Sequence, residues 1–153
     1  MTVELAGTAE RTLPSQKFAA LYAEAQRFYT HQMQLLDAHD TERLAGTFTE
    51  DALLELPSLP GPVPVRAGLT GYVRAGAARQ RRAGGRLNHW VGMLDVQARA
   101  DGALHTRCSA LAYVTPGGGS SRVLYVCVMA DVLVRTGGTW RIAHRRVTRD
   151  DLA

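Results

Sequence analysis

Three titratable residues in this 153-residue chain stand where a charge needs a reason. Asp131 lies in RVLYVCVMADVLVRT, with Met129 and Leu133 on its own strand face. A carboxyl enclosed by apolar side chains favours its neutral form. That is the state a general acid, or a hydrogen-bond donor to an enolate, must hold near neutral pH. The plainer alternative is an ion pair with Arg145 or Arg146 of the next strand. His89 shares a strand face with Val91 and Met93, and an imidazole moves protons in either direction at physiological pH. Asp40, in Asp37-Ala38-His39-Asp40, would tune His89 from across a pocket, or else cap a helix.

Around these three stand groups suited to holding a substrate. Tyr29 and Gln32 fall on the inner face of a first helix and would donate hydrogen bonds to a substrate oxygen. Tyr72, Trp90, Tyr125 and Met129 would line the pocket, where rings and a thioether suit a flat apolar ligand. His31, His105 and His144 are scattered without metal-ligand spacing, so no metal site is expected. No Gly-rich loop opens a helix after a strand, which removes a nucleotide fingerprint. Cys108 and Cys127 sit among apolar neighbours and read as buried free thiols.

The elements that must position these residues follow from periodicity. Residues 1–14 are small, polar and charged, and read as a loose arm ahead of one domain over 15–153. From Ser15, taken as an N-cap, Phe18, Leu21, Tyr22, Ala25, Phe28, Tyr29, Met33 and Leu36 recur at helical spacing. A short second helix capped at Asp40 or Thr41 holds Leu44 and Phe48. Ala52 to Leu56 is a short strand, and a third helix over about 69–82 ends at Gly84-Gly85. Four long strands follow, from Leu87, from residue 104, and as a hairpin turning at Thr136-Gly137-Gly138-Thr139. Helices segregated from a meandering sheet make an α+β domain, with the pocket between helices and the concave face of the sheet. The outer face of the Leu124 to Val134 strand (Leu124, Val126, Val128, Ala130, Val132, Val134) is wholly apolar, which predicts a homodimer through that face.

Composition narrows the class. The net charge is +4, but arginines and acids interleave along the chain, so nucleic-acid binding is not expected. No apolar run reaches about 18 residues, so no membrane span is expected. The N-terminus lacks an apolar signal region, and the cytoplasm is the expected location. Arg74 to Arg86 give one helix a basic face, suited to solvent or to an acidic carrier protein.

The element order, with Phe28-Tyr29, Leu35-Leu36-Asp37, Phe48-Thr49-Glu50-Asp51-Ala52, Pro57, Trp140-Arg141-Ile142 and Arg145-Arg146-Val147, resembles the SnoaL-like branch of the nuclear transport factor two-like superfamily. The resemblance covers about residues 18–149. It implies a cone-shaped α+β barrel, and it spans polyketide cyclases, scytalone dehydratase, ketosteroid isomerase, limonene epoxide hydrolase and dioxygenase small subunits. It sets Asp131 at the isomerase's protonated aspartate and at the acid/base position of the cyclases. His89 and Asp40 resemble a histidine and an aspartate of the dehydratase. Leu56 stands where the isomerase has its base, and Leu111 or Ala112 where the dehydratase has its second histidine.

The implied function is a cofactor-free acid/base enzyme of polyketide-type, antibiotic-like biosynthesis. Its reaction would be cyclisation, dehydration or isomerisation of a small hydrophobic substrate, within the lyase or isomerase class. Two alternatives stand beside it: a non-catalytic subunit like those of the ring-hydroxylating dioxygenases, and an epoxide-opening cyclase or hydrolase.

Overall fold

The computed structural model describes residues 8–152. Three helices, α1 (Ser15–Asp37), α2 (Thr41–Ala45) and α3 (Val65–Ala83), pack on one mixed sheet. The strands are β1 (Phe48–Glu55), β2 (Val63–Pro64), β3 (Gly85–Ala98), β4 (Leu104–Pro116), β5 (Arg122–Thr136) and β6 (Thr139–Arg149), in the order β2-β1-β6-β5-β4-β3. Among the described residues only the β1–β6 pair is parallel. The sheet is curved and open, and the expected α+β class holds.

Most boundaries follow local chemistry. Gly84 closes α3 in the left-handed conformation (φ 65°), where a residue without Cβ is under least strain. Gly137 and Gly138, both at positive φ, make the two-residue β5–β6 hairpin turn. Three details correct the sequence reading. Ser15 is the first helical residue, and Pro14 precedes it with no side-chain cap. Phe48 begins β1 rather than belonging to α2, which ends at Ala45. The third helix starts at Val65, straight after the proline loop, rather than at about residue 69. Of the expected arm, residues 1–7 lie outside the described residues. Beyond them Glu10 bridges Arg99, and Arg11 N–H donates to the Ala98 carbonyl at 2.7 Å.

The core sits between the helices and the concave face of the sheet. Alternation on β4 buries Leu104, Thr106, Cys108 and Ala110, and alternation on β5 buries Cys127, Met129, Asp131 and Leu133. Burying each large apolar side chain there contributes about 1.5–3 kcal/mol. The opposite face of β5 is half-buried rather than bare, with Arg107 and Arg146 flanking Ala130 in register. Long charged side chains cover apolar surface with their stems.

Two bulges decide which side chains reach the interior. Between Val132 and Leu133, β5 pairs with β6 across one extra residue, Ala143. Ile142 faces the core, and simple alternation would send Arg145 outward. The bulge turns Arg145 inward instead. A second bulge after Gly92 places Met93 at φ 52° and leaves it 83% exposed, so Met93 does not share the inner face of His89.

Candidate active site

The register of the sheet sets Thr106, Asp131 and Arg145 side by side on three neighbouring strands. Asp131 is fully buried. It accepts from Arg145 Nε at 2.9 Å and Nη2 at 2.8 Å, a two-pronged pair, and from the Tyr29 hydroxyl at 2.5 Å. Because Tyr29 gives its only proton to Asp131, Thr106 Oγ1, also at 2.5 Å, donates to the phenol oxygen. Burial first, and then the Asp131 charge, push the Tyr29 phenol well above the ordinary tyrosine range. Burial alone would lower Arg145, but the charge and hydrogen bonds of Asp131 outweigh it and hold the guanidinium charged.

Gln32 extends this network. Its Oε1 accepts from Arg145 Nη2 at 2.8 Å, and its Nε2 donates to Thr47 Oγ1 at 2.7 Å, which in turn donates to the Leu44 carbonyl at 2.6 Å. A buried amide in a helix stripe is thereby satisfied at both ends.

The second cluster joins α1 to β3. Asp37, the last residue of α1, accepts from His89 Nδ1 at 2.7 Å and from the His89 backbone N–H at 3.1 and 3.2 Å. β3 is a sheet edge, so Asp37 supplies an acceptor that no strand provides. A carboxylate can only accept, so Nδ1 carries the proton and the neutral ring keeps its lone pair at Nε2. Nε2 makes no hydrogen bond among the described residues. The turn that delivers Asp37 is strained: His39 adopts φ 56°, a left-handed conformation unusual outside glycine.

Between the two clusters lies an inner cavity of about 70 Å³. His89, Arg145 and Gln32 supply its polar wall, and Tyr72, Tyr125 and Met129 are among its lining. It abuts an outer vestibule of about 390 Å³, and Leu56, Tyr72, Tyr125, Cys127 and Val147 border both. The inner cavity alone falls well short of an ordinary ligand site. The vestibule beside it falls within the usual range.

The structure thus sorts the expected residues. His89, Gln32, Tyr72, Tyr125 and Met129 border the cavity. Asp131 and Tyr29 lie behind it, tied to Arg145, because the cross-strand arginine satisfies the carboxylate that an apolar pocket would have left neutral. Asp40 does not meet His89. It caps α2 through the Arg43 N–H at 3.2 Å, and Asp37 takes the histidine. Trp90 is 50% exposed, because it follows His89 on the strand and takes the opposite face. Its ring lies over Gly92, where a Cβ would meet it at 2.0 Å.

Sequence reasoning missed Asp37 as a site residue and offered Arg145 only as one of two ion-pair partners for Asp131, the alternative that the structure shows. The signal for Asp37 was available: an acid ends a long helix with no basic residue in its last turn, against the helix dipole. No signal chose Arg145 over Arg146, since the Ala143 bulge that turns it inward has no sequence mark. Among the described residues no group of three His, Cys, Asp or Glu side chains is placed to hold a metal ion, and no helix is long and apolar enough to cross a membrane.

Comparison with known proteins agrees with this architecture. Aln2 from a Streptomyces species is 33% identical over 92% of this chain and 96% of its own, with a TM-score of 0.80. ActVI-ORFA from Streptomyces coelicolor is 32% identical, covering 86% of this chain and 98% of its own, with a TM-score of 0.75. A Catenulispora acidiphila protein, solved in complex with S-DNPA, is 31% identical over 87% and 96%, with a TM-score of 0.71. No curated protein matches the chain. Residues 18–146 match the SnoaL-like domain, and the chain belongs to that family, on the polyketide-cyclase branch of the nuclear transport factor two-like fold.

Proposed function

We propose that the chain catalyses proton transfer beside a carbonyl of a small, largely apolar organic substrate, in polyketide-type biosynthesis. The outcome is cyclisation, dehydration or isomerisation. One observation carries the reading: an Asp37-held histidine and an Asp131-held arginine border the same cavity. His89 Nε2 takes a proton from the carbon next to the carbonyl, and Asp37 stabilises the imidazolium that forms. Arg145 Nη1, which has no hydrogen-bond partner among the described residues, donates to the developing enolate oxygen. The imidazolium then returns its proton. Delivery to a different carbon gives isomerisation, delivery to a departing hydroxyl gives loss of water, and attack of the enolate on a second carbonyl closes a ring. Asp131 acts through Arg145 as a positioning residue. The cycle calls for no cofactor.

A minimal substrate tests it. The α-protons of 2-tetralone exchange with D2O, and proton NMR follows the loss of signal. The protein is expected to accelerate exchange, and His89→Gln to return it to the buffer rate. Wild-type exchange no faster than buffer would sink the proposal. A second reading, a non-catalytic subunit with a filled cone, draws on the small inner volume and on the satisfied Asp131–Arg145 pair. It predicts that same null result.

A further inference from the structure

A second opening stands at the other end of α1. The first turns of that helix, through Lys17 and Leu21, border a groove of about 600 Å³ that the β3–β4 turn and the β5–β6 hairpin also line. The groove shares no lining residue with the inner cavity. Leu21 lines one and Gln32 the other, and eleven residues of helix set them about 16 Å apart. Along β4, Leu104 lines the groove and Ala110 the cavity, with Thr106 and Cys108 buried between them. Along β5, Val134 and Met129 stand likewise on either side of Asp131. The Tyr29–Asp131–Arg145 network is thus a partition between two openings. The groove joins apolar lining to a basic rim. Arg11, Lys17, Arg99 and Arg135 border it against one carboxylate, Asp101. Glu24 answers Arg135 at 2.8 Å, and Asp101 accepts from the Ala103 N–H of its own turn at 3.0 Å. Arg11, Lys17 and Arg99 make no ion pair among the described residues. Uncompensated charges of one sign repel, and an anion placed among them relieves the repulsion. The start of α1 adds to the field, since no side chain caps it and no acid stands in its first turn.

We propose that this groove is a second ligand site, taking an amphipathic organic anion with a slender aliphatic body and a terminal carboxylate. The body follows from the lining. Leu21, Leu104 and Val134 bury an alkyl chain by area alone. The one aromatic ring among the lining residues, Trp140, is 8% exposed, and the Arg135 guanidinium lies over it at 4.2 Å. No open aromatic face is left for a flat ring system. The acid end meets Arg11, Lys17 and Arg99, and a guanidinium offers the paired donors that a carboxylate matches. The volume falls within the usual range of ligand sites. A ligand here lies beyond the Asp131 partition, so the assignment does not depend on the chemistry at His89.

The chain has two tryptophans, and Trp90 does not line the groove, so in a Trp90→Phe background the emission reports Trp140 alone. Bromine quenches tryptophan on contact. Titration with 8-bromooctanoate at low salt is expected to quench Trp140 to saturation. The neutral 8-bromooctanamide should bind about tenfold more weakly, the usual effect of losing a charge-assisted contact. High salt should erase most of that preference. Lys17→Gln combined with Arg99→Gln should do the same without changing amide affinity. Arg74→Gln, on a helix that does not line the groove, should leave both affinities as they were, and thermal melts confirm that each variant folds. Equal affinities for acid and amide, or a preference that survives the double substitution, overturn the assignment. Calorimetric binding of the acid without quenching of Trp140 overturns it as well, because the ligand then sits elsewhere. If neither probe binds, the groove takes no such anion, and binding of an acidic glutamate–leucine peptide in their place would make the occupant a protein segment. None of these outcomes bears on the 2-tetralone exchange that tests the inner cavity.

Discussion

Replacing Asp131 by asparagine separates a catalytic acid from a structural anchor. The carboxylate is fully buried, takes two bonds from Arg145 and one from Tyr29, and does not border the cavity. Asparagine keeps the shape but loses the charge, and its NH2 group must face a donor. Arg145 is then left buried without its counter-charge, and breaking a buried pair in this way costs about 3–5 kcal/mol. At about 2–4 °C per kcal/mol for a chain of this size, the melting temperature should fall by roughly 6–20 °C. Differential scanning calorimetry at neutral pH reads this directly. Asp131→Leu combined with Arg145→Met removes both charges and should cost less than Asp131→Asn alone, the pattern expected of a coupled pair. If Asp131→Asn melts within a degree or two of the wild type, the anchoring role is wrong, and Asp131 returns as a candidate acid.

Other expectations follow from the same geometry. Asp37→Asn should leave the fold in place yet slow α-proton exchange by about 10- to 100-fold, the cost of losing a charge-assisted bond at 2.7 Å; NMR exchange rates decide it. Burial holds Cys108 up at about 12 and raises Cys127 as well, so neither thiol should react with Ellman's reagent at pH 8 until the chain is denatured. Those thiols, with Tyr29 and Tyr72, keep their protons in the folded state above the pH at which the unfolded chain loses them. Stability is therefore fully present below about pH 9 and declines as pH rises beyond it, which urea titrations across pH 7–11 would show. His39→Gly relieves a left-handed non-glycine residue and should raise stability by about 0.5–1 kcal/mol, measurable as a shift in the urea midpoint.

What the sequence disclosed, and what it withheld, divides along physical lines. Periodicity located the three helices and the four long strands, because the buried stripe of α1 and the alternation of β4 repeat over enough residues to fix a face. Alternation also identified Asp131 as buried, and its inward direction held. The partner of that carboxylate depended on one extra residue, Ala143, whose type is compatible with either register. Trp90 and Met93 were misplaced for related reasons: one is a neighbour of His89 and takes the opposite face, and the other follows a bulge. Asp37 and Asp40 are three residues apart on either side of a turn, and the left-handed His39 decides which of them reaches β3. A helix read by spacing alone cannot supply that angle.

The most direct test of the account is the fate of ligands retained from a producing-cell extract. Wild type, His89→Gln and Asp37→Asn would each be loaded, washed, released and re-incubated, with mass spectrometry following every retained compound. The account predicts conversion by the wild type at unchanged mass or with loss of one water. It predicts binding without conversion by His89→Gln at an unchanged melting temperature, and slowed conversion by Asp37→Asn. Equal conversion by wild type and His89→Gln would show that the chemistry does not pass through this histidine, and the central claim would be wrong.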